Sequence, residues 1–113
     1  MSSKVIEINI ELNKPTVDAA LQYLKNALST YKRQGYKAVI IIHGYGSSGS
    51  GGAIKPAVVS LLSGSGMRGI VKAYASGEQW YLKKNELLRM CGGLAEHERR
   101  FAGNPGVTVV ILQ

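Results

Sequence analysis

An apolar strand leads directly into a histidine and a glycine-rich loop in the segment Val39-Ile40-Ile41-Ile42-His43-Gly44-Tyr45-Gly46-Ser47-Ser48-Gly49-Ser50-Gly51-Gly52. A continuous apolar run suits a strand that is covered on both faces, and glycines let a ligand approach the backbone closely. The apolar pattern at residues 54–62 predicts a helix whose first N–H groups and positive dipole end face the loop. This arrangement favours an anion, most often a phosphate group.

A strand and a helix are predicted before this segment. Apolar and polar residues alternate from Val5 to Asn13, which predicts a half-buried strand with Ile6, Ile8, Ile10 and Leu12 on its inner side. Thr16 is predicted to cap an amphipathic helix that ends at Gly35. Pro56 is expected in the first turn of the helix that follows the loop. The resulting β-α-β-α order implies an α/β layer with a parallel pair of strands.

The C-terminal half has a weaker pattern. It predicts a strand at Ile70–Tyr74, a short helix at Leu82–Cys91, a long basic loop at Gly92–Gly106 and a buried strand at Val107–Leu112. We therefore expect a single α/β domain over residues 1–113. Its predicted architecture is a two-layer sandwich of a mixed, about four-stranded sheet and two main helices.

Composition narrows the classes of function. The chain has 113 residues and a formal net charge of +7, so its surface should attract polyanions, with nucleic acid first, although many proteins are basic merely for solubility. The single cysteine, Cys91, excludes an intrachain disulfide and a cysteine-cluster zinc site, and favours the cytoplasm. No stretch approaches the ~20 apolar residues of a membrane span, so we expect no membrane partner.

Three short motifs follow one another along the chain. Thr16-Val17-Asp18-Ala19-Ala20 begins the first helix, His43-Gly44-Tyr45-Gly46 follows the second strand, and Gly106-Val107-Thr108-Val109-Val110 opens the last strand. Together they resemble the Smr (small MutS-related) domain family, whereas most of the chain between Gly64 and Asn104 is unmatched. The resemblance implies a fold like the C-terminal domain of the third bacterial initiation factor, binding of DNA or RNA, and in some members endonuclease activity stimulated by a divalent metal such as Mg or Mn.

The first family motif is altered here, because Ile10-Glu11-Leu12-Asn13 stands where the family has Leu-Asp-x-His. The resemblance makes Glu11, Asn13 and His43 the candidate catalytic residues, and whether cleavage is retained stays open. Asparagine cannot exchange protons near neutral pH, so hydrolysis would need Glu11 or His43 as the base. Alternatively, Glu11 and Asn13 form a solvated strand face, and His43 bonds to the backbone and fixes the loop.

The candidate nucleic-acid contacts are loop residues and cations near them. Glycines allow close approach, an exposed tyrosine can stack on an unpaired base or anchor the loop, and cations can pair with phosphates. These candidates are Gly44, Tyr45, Gly46, Lys55, Lys14, Arg99 and Arg100. Arg68 and Lys72 could extend the same basic surface. Trp80 and Cys91 are expected in the core, and His97 in a surface loop.

Two other classes of function compete with this interpretation. Gly44–Gly49 fits the G-x-G-x-x-G pattern of a dinucleotide-binding enzyme, but Arg68–Ala75 lacks the acidic residue expected about 20 positions later. The third class is an interaction module that binds RNA or DNA without cutting it. The sequence predicts no evident cofactor and does not determine the oligomeric state.

Overall fold

The computed structural model describes residues 4–12, 15–44 and 51–113. Its strands and α-helices, in chain order, are β1 (Val5–Asn9), α1 (Val17–Arg33), β2 (Ala38–Ile42), α2 (Gly51–Ser63), β3 (Val71–Ser76), α3 (Trp80–Met90), α4 (Glu98–Phe101) and β4 (Val107–Leu112). Short 3₁₀ helices lie at Ser65–Met67, Gly77–Gln79 and Gly92–His97. None of the helices in these ranges has both the length and the apolar composition needed to cross a membrane.

The four strands form one mixed sheet in the order β1-β2-β4-β3. β1 and β2 are parallel, whereas β4 is antiparallel to both of its neighbours. The ends of β1, β2 and β3 and the beginning of β4 therefore lie together. We call this the loop end of the sheet, because the glycine-rich segment follows β2 there. The expected α/β class, parallel pair and four-stranded mixed sheet are confirmed.

One face of the sheet is covered by α1 and α2. Leu24 and Leu28 of α1 and Ile54 and Val58 of α2 pack on the buried residues of that face, which are Ile8, Val39, Ile41, Val110 and Leu112. The Thr16 side chain accepts a hydrogen bond from the Ala19 N–H at 3.1 Å, as the capping pattern predicts. Gly35 follows α1 with a φ of 88°, a left-handed conformation that suits glycine at a helix end.

The other face is also covered, which the expected two-layer arrangement did not include. α3, the 3₁₀ helix Gly92–His97 and α4 bury Trp80, Leu94 and Phe101 against it. Trp80 and Phe101 meet edge-on at 4.7 Å, and Trp80 Nε1 donates to Glu98 at 2.6 Å. Much of the region expected as a long basic loop is thus helical. Trp80 and Cys91 lie in the core, as predicted.

Two local expectations near the glycine-rich segment were wrong. β1 ends at Asn9, because the Asn9 side chain accepts the Glu11 N–H at 2.9 Å and turns the chain. Leu12 is therefore 65% exposed rather than on the inner side of a strand. Pro56 lies beyond the first turn of α2, since that helix begins at Gly51. Its ring nitrogen cannot donate to the carbonyl four residues earlier.

Gly77 lies where its own segment of main chain meets residues 101–104. A Cβ at Gly77 would overlap the carbonyl oxygens of Phe101 and Asn104. We expect Gly77→Ala to lower the free energy of unfolding by about 1–3 kcal/mol, because these segments would have to separate. Gly92→Ala is the matched control, since a Cβ there meets nothing within 4 Å. Urea denaturation followed by circular dichroism measures both, and equal midpoints would contradict the expected close contact.

Candidate functional site

The loop end brings together residues from four elements. Glu11 follows β1, His43 and Gly44 follow β2, Gly106 precedes β4, and Lys55 lies near the start of α2. These positions follow from the parallel pairing of β1 and β2, because parallel strands end at the same edge of a sheet. The sequence motifs are thereby joined into one site.

His43 is fully buried, and both of its ring nitrogens contact protein atoms. Nδ1 lies 2.8 Å from the carbonyl oxygen of Gly44, and Nε2 lies 2.8 Å from Oγ1 of Thr108. A carbonyl oxygen can only accept, so Nδ1 carries the proton and Nε2 of the neutral ring accepts from the Thr108 hydroxyl. Burial lowers the pKa of His43 below its ordinary value. The ring is thus a neutral link between the end of β2 and the start of β4.

The backbone of Gly44 is held in the same network. The N–H groups of His43 and Gly44 both donate to the Gly106 carbonyl oxygen at 3.0 Å, and the Gly44 carbonyl accepts from the His43 ring. Gly44 has a φ of 73°, and a Cβ there would overlap the Glu11 carboxylate. The positive φ favours glycine here, whereas the overlap could be relieved by a movement of the flexible Glu11 side chain. The N–H of Gly44 is engaged within the protein and so does not point at a ligand.

Charged groups surround the buried imidazole. Lys55 Nζ pairs with Glu78 Oε1 at 2.6 Å, and the Glu11 carboxylate lies against Gly44. Burial has the largest effect on the pKa of His43 and lowers it, and the hydrogen bond to the Gly44 carbonyl raises it. The charge of Lys55 lowers this pKa further, whereas the charges of Glu11 and Glu78 raise it. Among residues 4–12, 15–44 and 51–113, no group of three or more His, Cys, Asp and Glu side chains could hold a metal ion.

Other candidate contacts lie away from this site. Arg100 makes two hydrogen bonds of 2.6 Å to Glu7, in the middle of β1, and this carboxylate raises the pKa of Arg100. Arg99 is exposed on the same short helix, α4. Arg68 and Lys72 flank the start of β3, at the opposite end of the sheet, so they do not extend a surface around His43. Four sequence candidates fall outside the described residues: Asn13, Lys14, Tyr45 and Gly46.

The sequence analysis missed two residues of the site. Thr108 belongs to the third motif, where a polar side chain in a fully buried strand was the available signal. Glu78 follows β3 and is joined to Lys55 only by the tertiary fold. No local pattern marks Glu78.

Comparisons with known proteins agree on one family. The family model described as "Smr domain" matches residues 10–113. The crystal structure of the Smr domain of Thermus thermophilus MutS2 is similar with a TM-score of 0.57 and 22% identity, covering 97% of this chain and 98% of that chain. This structural likeness concerns the fold. No curated protein matches this chain.

The hydrogen bond between Thr108 and His43 should contribute to stability. Thr108→Val keeps the shape of the side chain but leaves Nε2 of a buried ring without a partner. We expect a loss of about 1–3 kcal/mol in the free energy of unfolding. Thr108→Ser keeps the hydroxyl and should therefore retain more of the wild-type free energy of unfolding. Chemical denaturation of both variants measures this difference, and a valine variant as stable as the serine variant would contradict the proposed bond.

Stability should fall on mild acidification because of His43. Its folded-state pKa lies below the ordinary value of 6.5, so the unfolded chain binds the proton more readily. The stabilisation from the neutral ring is complete above about pH 6.5 and decreases as the pH falls toward the lowered folded pKa. Denaturation between about pH 7.5 and 5.5 measures the slope.

Two variants test whether this change of stability with pH comes from His43. His43→Gln should remove it, whereas His97→Gln should keep it. If His43→Gln does not fold, NMR titration of the imidazole proton in the wild-type protein measures the same quantity. A ring that titrates at or above its ordinary pKa would contradict the assignment.

Proposed function

The chain belongs to the Smr domain family, and we propose that it binds DNA or RNA at the loop end of its sheet. Nucleic-acid binding and nuclease activity are generally associated with this family. The observation that carries the proposal is the meeting of Glu11, His43-Gly44 and Lys55 beside the beginning of α2. It is the position at which the family motifs converge.

Lys55 and the beginning of α2 supply the attraction for a phosphate group. α2 has no acidic residue in its first turn, so its N–H groups and positive dipole end favour an anion. Lys55 has a side-chain exposure of 23% and can exchange its contact with Glu78 for one with phosphate. The proposal also keeps Tyr45 and Gly46, which belong to the second motif, and Lys14, which follows the altered first motif.

Arg99 and Arg100 stay candidates for contacts farther from the loop end. Arg99 is the better one, because Arg100 is held by Glu7 through two hydrogen bonds. An arginine in such a bidentate pair would have to break it before binding phosphate.

We assign different roles to the two described residues of the candidate catalytic set. His43 is a positioning residue, because accepting or releasing a proton at either nitrogen would disturb its bonds to Thr108 or Gly44. Glu11 is partly exposed and lies against Gly44, so it is the group that could orient or deprotonate a water molecule. Asn13 stays a candidate on the altered motif alone. Cleavage would therefore require the Glu11 carboxylate, whereas binding would not require it.

The described residues do not form a dedicated site for Mg or Mn. Glu11 is a single carboxylate, and in residues 4–12, 15–44 and 51–113 it belongs to no cluster of three potential ligands. Mg²⁺ usually binds through one or two carboxylates together with substrate phosphates and water. We therefore propose no step through a metal ion. The cytoplasmic location expected from the single cysteine stays a prediction.

A dinucleotide-binding enzyme is less consistent with the topology. In that fold the strand beside the glycine-loop strand is parallel to it and carries the acidic residue that binds the ribose. Here β2 lies between β1, which precedes the loop, and the antiparallel β4. Among the described strands, no parallel neighbour of β2 follows it in the chain, so none could carry this carboxylate at its end.

Fluorescence anisotropy tests the proposal with labelled single-stranded and duplex oligonucleotides of DNA and RNA. We expect binding at about 50 mM salt that weakens steeply toward about 200 mM. Glu11→Gln should bind about three- to tenfold more tightly, because a carboxylate that repels phosphate is removed. Glu96→Gln is the matched control, since it removes one exposed carboxylate from the 3₁₀ helix Gly92–His97.

The outcomes separate binding from cleavage. Absence of binding to all four probes at low salt would refute the proposed function, and equal affinities of the two variants would refute its placement at the loop end. Nicking assays with Mg, Mn or a chelator complete the test. Cleavage that persists in Glu11→Gln would remove the proposed role of that carboxylate.

A further inference from the structure

The end of the sheet opposite the loop end has a continuous main-chain framework. The Lys37 N–H donates to the Lys4 carbonyl at 2.8 Å, and the Leu112 N–H donates to the Lys37 carbonyl at 2.9 Å. Gln113 continues this framework, since its N–H donates to the Ile70 carbonyl at 2.9 Å and its side chain donates to the Arg68 carbonyl at 3.0 Å. The segments before β1, β2 and β3 are thus held side by side around the end of β4.

Six cations lie on this framework or beside it, and we call them the basic end: Lys4, Lys32, Arg33, Lys37, Arg68 and Lys72. Lys32 is half-buried, and the other five are exposed. In the described part of the chain, ion pairs involve Lys55, Lys84 and Arg100, and none involves a member of the basic end. A carboxylate also lies near this end, since Glu86 lines a cleft together with Lys72.

The charges of the described residues are therefore distributed unequally between the two ends of the sheet. The basic end carries six of the 14 lysine and arginine residues of a chain whose formal net charge is +7. The described part of the loop end instead carries Glu11, Asp18 and Glu78 against one lysine, Lys55. The C-terminal dipoles of α1 and α2 place only about half a negative charge each at the basic end, too little to cancel six cations.

The composition of the basic end matches a phosphate backbone. Among the described residues, the exposed large apolar side chains are Leu12, Tyr23, Val59, Tyr81 and Leu82, and none of them belongs to this end. Tyr36 is half-buried there, with Lys4 Nζ 5.2 Å from its ring centre. A membrane-surface site usually adds apolar or aromatic anchors to its cations, whereas a phosphate backbone needs cations alone.

We propose that the basic end docks the sugar-phosphate backbone of a nucleic acid and is separate from the loop end. The proposal rests on the function proposed above and adds a second contact surface to it. Strands of five or six residues separate the two ends by about 17–20 Å, which corresponds to roughly five or six nucleotide steps along one strand of a duplex. A longer nucleic acid can therefore reach both ends.

The test compares two double variants of the full chain by fluorescence anisotropy over a range of salt concentrations. Lys37→Gln with Lys72→Gln removes two exposed cations from the basic end. Lys25→Gln with Lys83→Gln removes two exposed cations from helices α1 and α3, and neither of these forms an ion pair in the described part of the chain. The probes are the labelled oligonucleotides used above, and phosphatidylserine vesicles are tested separately with the wild-type chain. For the basic-end variant we expect about tenfold weaker binding at low salt and a salt slope reduced by about 1.4–1.8. The control variant should keep the wild-type slope.

Each outcome supports or overturns the proposal. Equal losses in the two double variants would overturn it, because net charge rather than a surface would then govern binding. An unchanged basic-end variant together with a changed Glu11→Gln would overturn it and leave the proposed function intact. Weaker binding by the basic-end variant together with an unchanged affinity of Glu11→Gln would support the basic end and refute the loop end as the binding site. Absence of binding by the wild-type chain would overturn both, and binding only to phosphatidylserine vesicles would identify a membrane as the occupant instead.

Discussion

The structure depends on the insertion of β4 between β2 and β3. All six residues of this strand are buried, and they alternate between the two cores: Val110 and Leu112 face α1 and α2, whereas Val107, Val109 and Ile111 face α3 and α4. Gly106, which precedes this strand, accepts from the backbone N–H of His43, and Thr108 near the start of the strand bonds to the His43 ring. The two cores and the loop-end geometry therefore share one element. A change that loosens β4 affects stability and the site together.

The sequence predicted the elements whose signals are local. The cap at Thr16, the helix end at Gly35 and the apolar run before His43 each depend on neighbouring residues. The covering of the second face was missed, because Leu94 and Phe101 are isolated apolar residues among polar ones and create no periodic pattern. The early end of β1 was missed because apolar and polar residues continue to alternate past Asn9. The Asn9 side chain accepts the Glu11 N–H and so turns the chain away from the strand.

The candidate site shows the same limit at the level of side chains. The family resemblance made Glu11 and His43 candidate catalytic residues and Gly44 a candidate nucleic-acid contact, and the structure places these three residues close together. The motifs did not indicate which groups remain free to bind a ligand, since that depends on partners far away in sequence. The His43 ring is engaged by Thr108, and Arg100 is engaged by Glu7, across 65 and 93 positions respectively. Residue types were predictable, whereas their availability required the tertiary fold.

The division of charge offers a reason why the loop end can keep its carboxylates. Glu11 and Glu78 lie where the family motifs converge, and each repels a phosphate that approaches Lys55. Affinity gained at a remote surface can offset such repulsion without altering the groups at the site. In the proposal above, the basic end is a remote surface of this kind, because its cations would attract a polyanion over about a Debye length before any specific contact forms. The loop end is then free to hold a carboxylate whose chemistry requires a negative charge beside the nucleic acid.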